Sequence, residues 1–437
     1  MKHRFLRWGV AFILTGAGGL CAQTVPFLWG THWGVGARAA GLGGAFAGLA
    51  NDYSALFYNP AGLGQLETME ITASFSQLSL SDRAVFMGRE TEETSSYTKL
   101  DAFGAAVPIP TYRGSLVLGL GYQRIRQFDK ALHVTEFIST PGDSVTWNYD
   151  ELDEGGLGLF AFGASMEVAP GLYVGGSLNI YSGSDDYIWR FTEEDRPYDI
   201  WMFDTFTSTT QINTQLSGFN FTFGGLYKVK DTFRIGGSIE TPLTLKGKEE
   251  WSDEDVTHDD DGSQIIEYSE AGQTEYKIQA PWRFRVGGSV SAGPILLSGE
   301  VVLTDYSQLK YKTMPPEGDM SMADANFALR RDYQNTTGYR VGGELTIPGT
   351  DLRLRGGYRF DPSPLRDGAS DRDRTILSVG AGYLFNKQFD LNVTYLFTDW
   401  QVPGGDVITR ENLDAGRIMV SLSYLAPLSR LLDMGAF

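Results

Sequence analysis

The stretch Leu352-Arg353-Leu354-Arg355-Gly356-Gly357-Tyr358-Arg359-Phe360 alternates apolar and polar residues with a period of two. Successive side chains of a strand point to opposite faces, so one face here is apolar and the other strongly basic. The pattern recurs. Trp282, Phe284, Val286 and Val290 oppose Arg283, Arg285 and Ser289. Phe219, Phe221 and Phe223 oppose Asn220 and Thr222, and Leu391, Val393, Tyr395 and Phe397 oppose Asn392 and Thr394. Ile418, Val420, Leu422 and Tyr424 oppose Met419, Ser421 and Ser423. The runs are roughly 10 to 14 residues long. Soluble strands usually span about five or six residues, whereas a tilted strand needs about 9 to 11 to cross lipid.

Reading outward from these runs gives strands at about 67–80, 98–107, 114–128, 156–168, 171–184, 209–229, 232–245, 274–292, 294–307, 335–347, 351–361, 373–386, 388–401 and 413–426. Pro281 interrupts one of them and marks a bulge or a loop piece. The connections alternate in length. Short ones fall at 108–113, 169–170, 230–231, 293, 348–350 and 387; long ones at 81–97, 129–155, 185–208, 246–273, 308–334, 362–372 and 402–412. Short turns on one rim and long loops on the other are the mark of an outer-membrane barrel. The expected fold is all-β: a transmembrane antiparallel β-barrel of about 14 strands, with both chain ends on the periplasmic side.

The amino terminus agrees with export. Lys2, Arg4 and Arg7 precede an apolar stretch from Trp8 to Leu14, which softens through Gly16, Gly18 and Gly19 to Ala22. That order reads as a secretory signal peptide over 1–22. Cys21 would suit a lipoprotein, but Leu20 before it is a poor fit to a lipobox. Cys21 is the only cysteine, so cleavage leaves a chain without thiols, disulfides or thiolate metal ligands. Removing the three basic residues, with no acid lost, takes the formal charge from −18 to −21. Such an acidic chain is a poor nucleic-acid binder. The mature sequence has no apolar run of about 18 residues, so it crosses a membrane only as a closed sheet.

Residues 31–66 lack the period of two. They hold Gly36-Ala37-Arg38-Ala39-Ala40-Gly41-Leu42-Gly43-Gly44-Ala45-Phe46 and end in Tyr58-Asn59-Pro60-Ala61-Gly62. The segment reads as short helices and turns. Its aromatic content favours a compact plug over 23–66 inside a barrel formed by 67–437; the alternative is a periplasmic tail.

The stretch Gly36 to Gly64 resembles the amino-terminal hatch of the FadL/TodX family of outer-membrane transporters of long-chain fatty acids and other hydrophobic compounds. Three later stretches are similar to the family as well: Ser298 to Ser307, Tyr339 to Glu344 and Leu354 to Pro364. The hatch motif is shared with PorV-like barrels, which act in protein secretion. The resemblance implies a plugged barrel that passes hydrophobic molecules by diffusion. The plug motif falls on Asn59, Pro60, Ala61 and Gly62, as a rigid turn. The carboxyl-terminal Phe437 stands well beyond the last strand and departs from the usual ending.

Alternation turns Arg234, Glu240, Arg283, Arg285, Glu300, Arg340, Glu344, Arg353, Arg355 and Arg359 inward. Opposite charges on neighbouring strands can pair across the sheet. Alternatively, a guanidinium among Arg283, Arg285, Arg353, Arg355 and Arg359 meets a ligand carboxylate through two hydrogen bonds. The excess of arginine over glutamate predicts at least one unpaired cation. The loop at 185–208 carries Trp189, Phe191, Trp201 and Phe203, read either as a ligand-capture surface or as an aromatic girdle. Asp253, Glu254, Asp255, Asp259, Asp260 and Asp261 form an acidic loop without calcium-binding spacing. His32, His133 and His258 lie far apart, and no catalytic motif or cofactor fingerprint stands out. The implied partners are a hydrophobic small molecule such as a fatty acid and outer-membrane lipid, with a protein partner at the external loops as the PorV-like alternative.

Overall fold

The computed structural model describes residues 33–86, 88–140, 143–195, 203–316, 320–366, 372–403 and 408–427. The signal-peptide reading, Cys21, Trp201 and Phe437 lie outside the described residues. The strands are β1 (Thr68–Phe86), β2 (Arg89–Ile109), β3 (Leu116–Gln127), β4 (Lys130–Thr140), β5 (Asp143–Ala169), β6 (Leu172–Glu194), β7 (Phe203–Val229), β8 (Phe233–Glu240) and β9 (Thr244–Asp259). They continue as β10 (Gln264–Gln279), β11 (Arg283–Ala292), β12 (Ile295–Asp305), β13 (Lys310–Tyr311), β14 (Asn335–Thr346), β15 (Leu352–Asp361), β16 (Arg374–Phe385), β17 (Phe389–Pro403) and β18 (Ile408–Pro427). Each pairs antiparallel with its neighbours, and β1 pairs with β18 from Thr68↔Pro427 upward, which closes the sheet. β3 and β4 run end to end along β5, β8 and β9 along β7, and β10 and β11 along β9 and β8. With each of these taken as one traverse and the two-residue β13 set aside, the wall has 14 traverses. Pro281 falls in the break between β10 and β11.

The burial pattern is inverted relative to a soluble protein. In β15 Leu354 and Tyr358 are each 43% exposed, whereas Arg355 and Arg359 are buried. Phe219, Phe223, Leu297, Val341 and Val379 are likewise exposed on the outer face, opposite buried polar residues. An apolar outer band with a polar interior suits lipid outside and a polar lumen within. The short turns use backbone that matches strand twist: Asn386 and Lys387 have φ of 50° and 57°, and Gln388 N donates to Phe385 O at 2.9 Å.

The long connections differ from expectation. Most of the described residues within 81–97, 129–155, 185–208 and 246–273 are strand, because the ladders β1–β2, β4–β5, β5–β6, β6–β7 and β9–β10 continue well past the apolar band. Above the lipid the outer face meets water instead of lipid tails, so hydrophobic alternation fades while the backbone hydrogen bonds persist. The acidic run at 253–255 accordingly sits in β9. The connection at 308–334 does carry a helix, α1 (Met322–Asp332), capped by Ser321 Oγ accepting from Asp324 N at 3.2 Å. β2 pairs with β3 only between Ala102↔Gln123 and Ile109↔Leu116. Above that point a seam separates them, bridged by Lys99 Nζ at 3.1 Å from Asp129 and 3.5 Å from Glu154.

Beyond the lipid-facing belt, on the long-hairpin rim, Lys130 Nζ stands 2.5 Å from Glu411, 3.6 Å from Glu151 and 3.7 Å from Asp82. Burial and the neighbouring Glu411 push the Asp82 carboxyl up to about 8, against the pull of Lys130. A carboxyl raised above its unfolded value stabilises the fold at low pH and loses that contribution as pH rises through its folded value. Hydrogen-exchange protection at the β1–β2 and β4–β5 rim, corrected for the intrinsic pH dependence of exchange, is therefore expected to fall several-fold as pH rises toward about 8. Asp82→Asn is expected to flatten that fall; the same pH profile in wild type and variant would refute the assignment.

Candidate functional site

Residues 33–66 contain short helical turns, Ala37–Gly41, Ala55–Tyr58 and Pro60–Gln65, and are almost entirely buried. Four-residue turns cannot satisfy their own backbone. Here the inner face of the wall does so. Thr394 Oγ1 donates to Ala37 O at 2.6 Å, Ser378 Oγ to Gly41 O at 3.2 Å and Ser298 Oγ to Ala45 O at 2.5 Å. Ser289, Ser177, Ser238 and Ser165 donate in the same way to Gly48, Leu56, Tyr58 and Ala61. Glycines on the inner face let the two backbones meet: a Cβ on Gly342 would lie 2.3 Å from Leu42 O, and one on Gly48 would lie 2.6 Å from Gly287. The segment packs its own core, in which Phe46, Phe57 and Tyr58 meet edge to face at 5.4 and 5.0 Å.

Asn59 is fully buried. Its Nδ2 donates to Ala47 O at 2.8 Å within the segment and to Gly225 O at 3.0 Å on β7, while its Oδ1 accepts from Ala61 N at 3.2 Å. Pro60 follows at the start of the last turn, where its missing N–H costs nothing. Ala61 and Gly62 complete it, and a Cβ on Gly62 would lie 2.0 Å from Ala50 O. The motif thus ties the segment to itself and to the wall.

The charged inner residues pair across the sheet. Glu300 Oε1 accepts from Arg340 Nη1 at 2.9 Å, and its Oε2 accepts from Phe46 N at 3.0 Å and Ala47 N at 2.7 Å. Glu344 meets Arg355 at 2.5 Å on the adjacent strand and Arg38 of the segment at 3.2 Å. Glu240 meets both Arg283 and Arg285 at 3.3 Å. Arg353 pairs with Asp390 and Arg359 with Asp361. Each of the five candidate arginines therefore has a carboxylate partner, while Arg234, also turned inward, donates to the neutral Gln65 Oε1 at 3.0 Å. Aspartates beyond the alternating glutamates, Asp390 and Asp361, supply the missing partners.

The five candidate arginines do not form one site. Arg353 and Arg355 lie at the short-turn end of β15, and Arg359 stands six residues on, about 20 Å along the strand. Arg283, Arg285 and Arg359 instead line a cavity of about 80 Å³ between the segment and the long-hairpin rim, with Phe57 of the segment in its wall. Arg126, Arg340 and Arg374 line it too. Arg126 and Arg374 were not singled out from the sequence, since both sit at strand ends where alternation fades. The hydroxyl residues that hold the segment, to which Ser115 Oγ adds by donating to Gly64 O at 2.6 Å, were also missed, although Ser378, Thr394 and their like occupy every second position opposite an apolar residue.

Trp189 and Phe191 lie in β6 and Phe203 in β7, which corrects their placement on a loop. Phe191 and Phe203 are buried rather than exposed. Trp147 packs edge to face on Phe191 at 5.5 Å, and Tyr149 on Trp189 at 6.0 Å, within the extended sheet.

Comparison with known proteins agrees with this geometry. Residues 164–406 match the family model for outer membrane protein transport protein (OMPP1/FadL/TodX). No curated protein sequence matches. Among solved structures, the barrel resembles the Ralstonia pickettii toluene transporter TbuX at a TM-score of 0.60 and 14% identity, covering 91% of this chain and 99% of that one. It resembles the P. putida toluene transporter TodX at 0.60 and 12%, with the same coverage. A Pseudomonas aeruginosa FadL homologue matches at 0.56 and 15%, again over 91% and 99%. At these identities the likeness speaks for the fold alone, while the family match spans more than half of the chain. The chain belongs to the OMPP1/FadL/TodX family, and is a bacterial outer-membrane β-barrel that transports hydrophobic compounds and is not an enzyme.

Proposed function

We propose that the barrel takes up hydrophobic compounds bearing an anionic head, such as long-chain fatty acids, by passive diffusion, with residues 23–66 as its plug. The observation that carries this reading is the bonding of residues 33–66 to the inner wall, with an arginine-lined cavity on their outward side. A compound first meets the half-buried Trp147 and Trp189 on the extended sheet. Its head then descends toward Arg283, Arg285 and Arg359, and its tail leaves as the plug shifts or through the seam above Ala102. Arg353 and Arg355 hold the plug through Glu344 and the wall through Asp390.

The test is uptake of labelled dodecanoate by cells that lack their own outer-membrane route for it, with and without this protein. Several-fold faster uptake is expected. No gain in uptake, together with no lipid bound to the purified protein by mass spectrometry, would sink the reading.

A further inference from the structure

The outward cavity carries more positive charge than a fatty acid needs. Its wall holds Arg126, Arg283, Arg285, Arg340, Arg359 and Arg374, and Asp361 is the one carboxylate in the described lining. Glu240 and Glu300 approach from behind and bind Arg283, Arg285 and Arg340. Concentrating guanidinium groups in this way is costly, and it occurs in a chain of formal charge −18. Arg285 is 2% exposed, and its Nε and Nη1 have no hydrogen-bond partner among the described residues; the Nε of Arg340 is in the same position. The Arg285 guanidinium lies over the Phe57 ring at 5.1 Å, which fixes its plane. A buried donor without an acceptor is costly, and both of these arginines line the cavity.

We infer that this cavity binds a doubly charged oxyanion of the phosphate class, presented as the head group of an amphiphile. A carboxylate has two oxygens and one charge, so a single guanidinium balances its charge. A phosphate monoester brings three terminal oxygens and a charge of about −1.5 to −2, and so engages several forks at once. Thr304, Tyr306, Thr336 and Ser363 in the wall add hydroxyl donors. Size agrees: 80 Å³ of free space holds roughly six waters, enough for a tetrahedral head. The inference deepens the uptake reading and rests on it only for the source of the anion.

The experiment uses the full-length protein in a non-ionic detergent and measures binding of dodecyl phosphate, dodecanoate and inorganic phosphate by titration calorimetry. Dodecyl phosphate is expected to bind about tenfold more tightly than dodecanoate at pH 8, with the advantage shrinking below about pH 6 as the second phosphate charge is lost. Arg126→Gln and Arg374→Gln, each checked for folding by heat-modifiable gel migration, are expected to abolish most of that advantage while dodecanoate binding changes little. Equal wild-type affinity for the two amphiphiles would overturn the anion site and leave hydrophobic uptake standing. Binding of inorganic phosphate with neither amphiphile bound would keep the anion site, assign it to the free ion and overturn the uptake reading. Binding of none of the three would overturn both.

Discussion

Glu300→Ala is expected to convert a closed barrel into a leaky one. The Glu300 side chain is fully buried and joins two elements 254 residues apart in sequence. One oxygen receives Arg340, and the other receives the backbone N–H groups of Phe46 and Ala47. Alanine leaves a buried guanidinium without its partner, which costs about 3–5 kcal/mol. It also leaves two backbone donors unmet, at about 1–3 kcal/mol each. The wall itself is held by its ladders, so the loss falls on the attachment of the segment. The two amide terms, together about 2–6 kcal/mol, are expected to shift the opening equilibrium at Phe46 and Ala47 by roughly one to four powers of ten. Hydrogen exchange at those two amides reads the shift, and single-channel conductance in a planar bilayer reads its consequence. Glu300→Gln keeps an acceptor for the amides and is expected to fall between. Unchanged exchange and conductance in Glu300→Ala would show that the segment does not depend on this carboxylate.

Gly357→Val is expected to displace the segment by crowding rather than by lost bonding. A Cβ on Gly357 would lie 2.0 Å from Gly43 N and 2.5 Å from Leu42 C. Those are backbone atoms, and Gly43 sits at a φ of 64° that leaves the local chain little room to adjust. Overpacking a core typically costs about 1–3 kcal/mol, and contact with backbone places this case at or above the top of that range. Gly356, one residue away, supplies the control. Its Cβ would point outward and meet nothing nearer than Ser378 O at 3.9 Å. Gly356→Val is therefore expected to leave conductance at the wild-type level, while Gly357→Val raises it. Equal behaviour of the two variants would mean that the segment does not lie against β15.

Much of the barrel was legible in its alternation. Lipid on one side and a polar lumen on the other force a period of two on every crossing, so β15 and β16 announce themselves residue by residue. The same physics explains where the reading stopped. Above the apolar band the hairpins β1–β2, β4–β5 and β9–β10 keep their hydrogen bonds but no longer face lipid, and a run such as Glu92-Glu93-Thr94-Ser95-Ser96 carries no alternation of apolar and polar residues. The aromatic residues Trp189 and Phe191 were read as loop for that reason.

The candidate site was visible in kind but not in arrangement. Alternation turned Arg283, Arg285, Arg353, Arg355 and Arg359 inward. It could not divide them between the cavity wall and the supports of residues 33–66. By itself, the sequence determined that the sheet is amphipathic, that it must close because lipid tolerates no free edge, and that its interior is charged. Only the tertiary structure decided which acid meets which arginine, which hydroxyls hold residues 33–66, and where a cavity remains. Closure is what brings Glu300 to Phe46 and Asn59 to Gly225, and such contacts depend on strand register around the whole ring, which no local pattern encodes.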